Sequence, residues 1–115
     1  MRRILIVVLG LSCLLVLAGT AAAVRKPKPG STMVVKATAY AGMQGTAIGV
    51  QTRHGICAVD PKVIPLGTRF YVPGYGNCLA ADTGGAVKGA FIDVWMLREG
   101  PALQWGVKHL TIRFL

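Results

Sequence analysis

The chain has 115 residues, of which 53% are hydrophobic, and thirteen Lys and Arg stand against four acids, for a formal net charge of +9. This length holds a single domain. The positive charge favours an anionic partner. The chain has no basic motif interleaved with aromatic residues, which argues against nucleic acid and leaves an anionic lipid surface or an anionic polymer.

Residues 1–23 are typical of an export signal. Arg2 and Arg3 precede an almost wholly apolar run from Ile4 to Leu17, and the segment ends in three alanines, Ala21 to Ala23. Small residues at that point predict cleavage before Val24. An uncleaved membrane anchor is the alternative, because the apolar stretch is long enough to cross a bilayer.

Both alternatives place the remainder outside the cytoplasm, in the periplasm, at the cell surface or secreted, with membrane contact only through an uncleaved N-terminal segment. The chain after residue 23 keeps eleven Lys and Arg and four acids, a net charge of +7. Residues 24–31, "VRKPKPGS", have two prolines, a glycine and three charges and predict a linker. The single domain then covers residues 32–115.

Six short strands follow in chain order. β-branched and alternating residues predict them at 32–40, 56–59, 68–72, 77–81, 91–95 and 108–115. Residues 41–55 are rich in Gly, Thr and Gln and predict a long loop, and a brief helix is predicted near residues 98–106 with Pro101 near its first turn. Strands this short, joined by Gly/Pro turns, predict an all-β domain closed into a small barrel, since closure leaves no exposed edge.

Cys57 and Cys78 are the two cysteines beyond the N-terminal segment. An even number of cysteines in an oxidising compartment predicts a disulfide. In the chain-entropy model a bridge closing a loop of about 20 residues adds about 3 kcal/mol, which matters for a small core. Zinc bound with His54 and His109 is the competing use, although the spacing matches no common zinc pattern.

The four acids are Asp60, Asp82, Asp93 and Glu99, and the three aspartates lie beside glycines, prolines or aromatic residues. Asp82 ends one predicted strand before "TGGAVKG", and Asp93 sits inside "FIDVW". Alternation places Asp93 on the face of Phe91 and Trp95, so lost hydration and a nearby carboxylate are both expected to raise its pKa. A carboxyl that is protonated near neutral pH is what glycoside cleavage requires.

Asp60 and Asp82 also have an ordinary structural explanation, because Asp before Pro or Thr-Gly-Gly commonly forms turns. An acid in the middle of a strand has no such explanation. Other catalytic patterns are missing from the sequence: it contains no G-x-S-x-G, no phosphate-binding G-x-x-x-x-G-K-[ST] and no H-E-x-x-H.

At these residues the sequence closely resembles the 3D domain family, named for three aspartates and related to the catalytic domain of MltA-type lytic transglycosylases. The resemblance rests on "ATAY" (37–40), "AVDPKVIPLGTRFYVPGYG" (58–76), "ADTGGAVKG" and "FIDVW", and covers about 80 residues from near Val34. It implies a double-psi β-barrel. It also implies cleavage of peptidoglycan glycan strands between N-acetylmuramic acid and N-acetylglucosamine, with formation of a 1,6-anhydro sugar and without a cofactor or metal.

By this resemblance the three family aspartates are Asp60, Asp82 and Asp93. Asp93 is taken as the catalytic acid/base, and the other two shape the site. The candidate substrate-binding residues are Tyr40, Thr83, Gly84, Gly85 and Lys88. Two departures stand out: Ala81 replaces an acid that many relatives have before the second aspartate, and Cys57 with Cys78 replace residues that are usually apolar.

The sequence therefore predicts an exported lytic transglycosylase that uses Asp93 as its single acid/base. Two alternatives stay open. One is a hydrolase with Asp82 and Asp93 as paired carboxylates and water as the nucleophile. The other is a module that binds cell-wall polysaccharide without cutting it, since a fold does not fix a function.

Overall fold

The computed structural model describes residues 24–115, and the predicted export signal or anchor lies outside them. The described residues form a closed barrel of six strands with one short helix, which confirms the predicted fold class. The elements are β1 (Thr32–Ala41), β2 (Ile56–Val59), β3 (Arg69–Val72), β4 (Gly76–Asp82), β5 (Phe91–Met96), α1 (Glu99–Trp105) and β6 (Lys108–Phe114). No helix within residues 24–115 is long and apolar enough to cross a membrane.

The strands close in the order β1-β5-β2-β4-β3-β6, and β6 pairs with β1 to complete the barrel. Two neighbouring pairs, β1 with β5 and β2 with β4, run parallel. The remaining pairs are antiparallel. Parallel neighbours need crossover connections, and this six-stranded closed barrel agrees with the double-psi barrel that the family resemblance implies.

Alternating apolar residues fill the barrel interior. In β3 the exposed Arg69 and Tyr71 alternate with the fully buried Phe70 and Val72, and in β6 Ile112 and Phe114 are buried between exposed neighbours. The rings of Phe70 and Phe114 meet edge to face, 6.1 Å apart between centroids. This alternation is the one that a half-buried strand requires.

A disulfide joins Cys57 of β2 to Cys78 of β4, with the Cα atoms 6.0 Å apart. Both cysteines are buried in the barrel core. The bridge therefore links two parallel neighbouring strands from inside the barrel, as the cysteine count predicted.

The long loop between β1 and β2 covers a second, smaller apolar cluster. Ile56, Ala81 and Trp95 are its buried members, with Tyr40, Val50 and Leu79 packed against them. The indole nitrogen of Trp95 donates a 2.7 Å hydrogen bond to the carbonyl of Gly42. The loop is thereby held against the outer face of the strands that carry the candidate aspartates.

Candidate active site on the outer face of the barrel

Asp93 lies in the middle of β5, between two strands. It is in register with Thr38 of β1 on one side and with Ala58 of β2 on the other. Its neighbours Ile92 and Val94 belong to the barrel core, which leaves the Asp93 side chain on the outer face. Thr38 Oγ1 donates a 3.0 Å hydrogen bond to Asp93 Oδ1.

The Asp93 carboxyl is only partly accessible to solvent. Burial raises its pKa above the ordinary aspartate value, and the hydrogen bond from Thr38 offsets part of that rise. Loss of hydration was predicted. The predicted contribution from a neighbouring carboxylate is not what raises the pKa of Asp93; the charge of Asp82 acts instead on Tyr40, whose pKa it helps to raise.

Asp82 ends β4, and its carboxylate accepts hydrogen bonds from backbone amides. Its Oδ1 accepts hydrogen bonds from the amides of Thr83 at 2.9 Å and of Ala47 at 3.2 Å. Asp82 therefore forms the turn expected of Asp before Thr-Gly-Gly and also holds the long loop.

Asp82 and Asp93 do not meet across the glycine turn that joins them in sequence. Strand β2 lies between β4 and β5, and Ala58 is in register with both aspartates. Their two strands are therefore not direct neighbours, because the crossover inserts β2 between them. The small side chain of Ala58 separates the two acids.

Asp60 has a mainly structural environment. Its Oδ2 accepts a 2.8 Å hydrogen bond from the Gly89 amide and its Oδ1 a 3.0 Å bond from the Lys62 amide. These bonds, the Gly89 bond first, hold the pKa of Asp60 below its ordinary value. Gly89 has a φ of +73°, which glycine adopts without strain, so the chain turns there to present its amide.

A shallow cavity of about 330 Å³ lies at this end of the barrel. Four of the five candidate substrate-binding residues line it together with Asp60: Thr83, Gly84, Gly85 and Lys88. Lys62 also lines it, so two basic residues border the cavity. The fifth candidate, Tyr40, is elsewhere.

Tyr40 lines a different cavity of about 450 Å³ between the end of β1 and helix α1, alongside Leu97, Glu99 and Leu103. Tyr40 is in register with Trp95, two positions beyond the pair of Thr38 and Asp93. Burial and then the charges of Asp82 and Asp93 raise the pKa of its phenol. Tyr40 thus belongs with Asp82 and Asp93, not with the glycine-rich cavity.

Thr38 is a site residue that the sequence did not point to as such. It sits in "ATAY", where alternation along β1 puts Thr38 and Tyr40 on one face. This period of two could have marked Thr38 as a site residue, because Tyr40 was already a candidate. Its partner Asp93 is 55 residues away, and only the parallel pairing of β1 with β5 reveals the contact.

The two histidines lie away from the aspartates. His54 stacks on Tyr75 with ring centroids 4.2 Å apart, and His109 is exposed on β6 opposite Lys36. Within residues 24–115 no three His, Cys, Asp or Glu side chains are grouped so that they could hold a metal ion.

All three aspartates fall within one family match: the 3D domain matches residues 56–115 of the chain. This protein belongs to the 3D domain family. Thr38 and Tyr40, which complete the arrangement around Asp93, precede the matched segment and come from β1.

Three curated proteins of Bacillus subtilis (strain 168) are similar to this 3D domain protein. The cell wall-binding protein YocH is 45% identical over 92 residues, covering 72% of this chain and 32% of YocH. The putative cell wall shaping protein YabE is 44% identical over 95 residues, covering 75% of this chain and 23% of YabE.

The SPbeta prophage-derived uncharacterized protein YorM is 36% identical over 94 residues, covering 68% of this chain and 40% of YorM. The chain thus spans less than half the length of each of these relatives.

Proposed function

We propose that this 3D domain protein is exported and cleaves peptidoglycan glycan strands as a lytic transglycosylase, with Asp93 as its single acid/base. The bond cut joins N-acetylmuramic acid to N-acetylglucosamine. The names of two relatives, one cell wall-binding and one putatively cell wall shaping, support the cell wall as the place of action.

The observation that carries the proposal is the difference between the hydrogen bonds that the three aspartate carboxylates accept. Asp60 accepts two backbone amides, and Asp82 accepts two more. Asp93 accepts a single hydroxyl, from Thr38, and its pKa is raised by burial. Of the three, Asp93 is the carboxyl left available to give and take a proton.

The chemistry needs one such group. Asp93 as carboxylic acid gives its proton to the glycosidic oxygen while the bond from that oxygen to C1 of the muramyl residue breaks. The muramyl 6-hydroxyl attacks C1, and its proton passes to the Asp93 carboxylate. The acid is regenerated, no water is consumed, and the muramyl end becomes a 1,6-anhydro sugar.

The remaining residues have supporting roles in this proposal. Asp60 and Asp82 hold the loops on either side of the glycine-rich turn. The cavity bordered by Lys62 and Lys88 offers cations to the carboxylates of an anionic glycan, and the net charge of +7 beyond residue 23 acts in the same direction over a longer range.

A binding module is the second candidate, and the name of the cell wall-binding relative favours it. A two-carboxylate hydrolase is the third. It would use Asp82 and Asp93, which flank Ala58 at a Cα separation of about two strand spacings, roughly 10 Å.

Incubation of the protein with purified sacculi tests these three functions together. A transglycosylase releases soluble fragments whose muramyl ends are one water lighter than hydrolysed ends and resist reduction by borohydride. Borohydride-reducible ends would assign a hydrolase. Co-sedimentation without any soluble fragment would assign a binding module and end the enzymatic proposal.

A further inference from the structure

The Tyr40 hydroxyl is a buried polar group that forms no hydrogen bond with the described residues. Its oxygen is shielded from solvent and has no hydrogen-bond partner among the residues that the structure describes. A buried hydroxyl without a partner is unfavourable, and native structures contain few of them. Phenylalanine would fill the same apolar space without the free-energy cost of burying an unpaired hydroxyl. A functional role would explain why the residue is tyrosine.

The hydroxyl stands next to both outer-face aspartates. Tyr40 follows Thr38 by two positions on β1, which puts the two side chains on one face of that strand. Asp82 and Asp93 lie near enough for their charges to raise the pKa of the phenol, although burial raises it most. Asp82 faces the hydroxyl but at a geometry short of a hydrogen bond.

The other ionisable groups around Tyr40 are few. The Tyr75 phenol also acts on it, and Glu99 lines the same cavity from helix α1. Tyr75 is already engaged, because its hydroxyl donates to the carbonyl of Trp95 at 2.6 Å and accepts the amide of Gly55 at 2.8 Å. Glu99 is not among the groups whose charge raises the pKa of Tyr40, which leaves Asp82 and Asp93 as the carboxylates that act on the Tyr40 hydroxyl.

We propose that Tyr40 is a positioning residue whose hydroxyl donates a hydrogen bond to Asp93 whenever Asp93 is a carboxylate, with Asp82 as the competing acceptor. The phenol stays protonated throughout the physiological range, because its surroundings disfavour the charged form. It is thus a donor in every protonation state of the two acids.

This role rests on the proposed function for its place in the reaction. When Asp93 has given its proton to the leaving oxygen, it carries a charge in a poorly hydrated position. Donation from Tyr40 stabilises that charge until the muramyl 6-hydroxyl returns a proton. Charge that develops during the reaction is where a preoriented donor accelerates it most.

The test compares Tyr40→Phe with Tyr71→Phe in the full-length chain. Tyr71 lies on β3 with its ring exposed near Arg113, away from the aspartates, and serves as the matched control. The titration of the Asp93 carboxyl carbon is followed by NMR. Loss of a donor to the charged form raises the midpoint in Tyr40→Phe by about one pH unit, and Tyr71→Phe leaves it unchanged.

Two further readouts separate positioning from a structural role. Below the Asp93 midpoint the melting temperature of Tyr40→Phe should equal or exceed that of the wild type, because the hydroxyl then has no Asp93 carboxylate to bond. Above the midpoint it should fall relative to the wild type, because the bond to the Asp93 carboxylate is lost. If the wild type cleaves sacculi, kcat should fall about tenfold or more with little change in KM, and the alkaline limb of the pH profile should move to higher pH.

An Asp93 midpoint that is the same in Tyr40→Phe and the wild type overturns the inference, whatever happens to activity. A midpoint that moves while the wild type releases no fragments upholds the Tyr40–Asp93 contact and rejects the proposed function alone. If Tyr40→Phe fails to fold, the inference is tested in the wild type by following the NMR shift of the Tyr40 Cζ carbon against pH. Its shift must change at the Asp93 midpoint, and a flat titration there overturns the inference.

Discussion

Thr38 and Asp93 face each other across two parallel strands, and the threonine hydroxyl donates a 3.0 Å hydrogen bond to the aspartate. A hydroxyl both donates and accepts, so Thr38 can hold the carboxyl in place as an anion and as an acid. A group that alternates between the two forms in each turnover benefits from such a partner. The β1–β5 pairing thereby fixes the orientation of the residue to which we assign the proton transfer.

Replacing Asp93 by Asn is expected to abolish cleavage while the fold survives. Asn keeps the shape and can still accept the Thr38 bond, but it has no proton to transfer. General acid–base groups supply about 10²–10⁴-fold, so release of soluble muropeptides should fall by at least that factor. Asp82→Asn serves as the comparison and should retain more activity, and equal losses in both variants would favour a paired-carboxylate hydrolase.

The same Asp93→Asn change is expected to stabilise the protein at neutral pH. Burial raises the folded-state pKa of Asp93 above its unfolded value. The folded state therefore binds more protons in the window between the two values, and stability is lost as pH rises through it. The variant should melt about 2–5 °C higher than the wild type at pH 7, with the gap closing below about pH 3.5.

Glu99→Gln is the charge-matched control for that measurement, since it removes one exposed negative charge from the first turn of the helix. It should leave the melting temperature unchanged or slightly lower. A melting temperature of Asp93→Asn below the wild-type value at pH 7 would show that Asp93 is stabilising and would contradict a desolvated carboxyl.

Asp60→Asn is expected to act in the opposite direction. Asp60 accepts the Gly89 and Lys62 amides, and these bonds lower its folded-state pKa. Its stabilisation is present above the unfolded-state pKa and is lost as pH falls through the folded-state value. The variant should melt several degrees lower at pH 7. It should differ less from the wild type at low pH, and an effect that is independent of pH would argue against a charge-assisted clamp.

Reduction of the Cys57–Cys78 bridge is expected to destabilise the barrel. The bond spans 21 residues between two buried positions, and the chain-entropy model gives it about 3 kcal/mol. The midpoint of denaturant unfolding should therefore fall when a reductant is added. Thiol titration of the denatured, unreduced protein should find Cys13 in the full-length chain as the single free thiol, and three free thiols would contradict the bridge.

Binding to sacculi is expected to weaken as salt rises. A domain with a net charge of +7 meets an anionic polymer through exposed groups, and such interactions are screened at high ionic strength. Co-sedimentation at about 0.05 M salt should be stronger than at about 0.5 M. Binding that does not depend on salt would assign recognition to stacking on Tyr or Trp and make the basic surface incidental.

Local sequence determined the secondary structure, because alternation within a strand and the residues of a turn involve only neighbours in the chain. Alternation predicted the last strand at 108–115, which the structure has as β6, and the predicted 56–59 strand has the bounds of β2. Turn chemistry identified the glycine-rich segment after Asp82, and the even count of cysteines predicted the bridge. An acid between apolar neighbours in a strand marked Asp93 as exceptional, and its raised pKa follows from that burial.

Only the tertiary structure decided which of these residues meet. Closing six strands with two parallel pairs inserts β2 between Asp82 and Asp93, brings Thr38 to Asp93 from 55 residues away, and ties Asp60 to Gly89 across 29 residues. No local propensity encodes such pairings, because they depend on the order in which strands lie side by side. The same closure leaves the Tyr40 hydroxyl buried beside two carboxylates, a position that its place in "ATAY" gave no means to foresee.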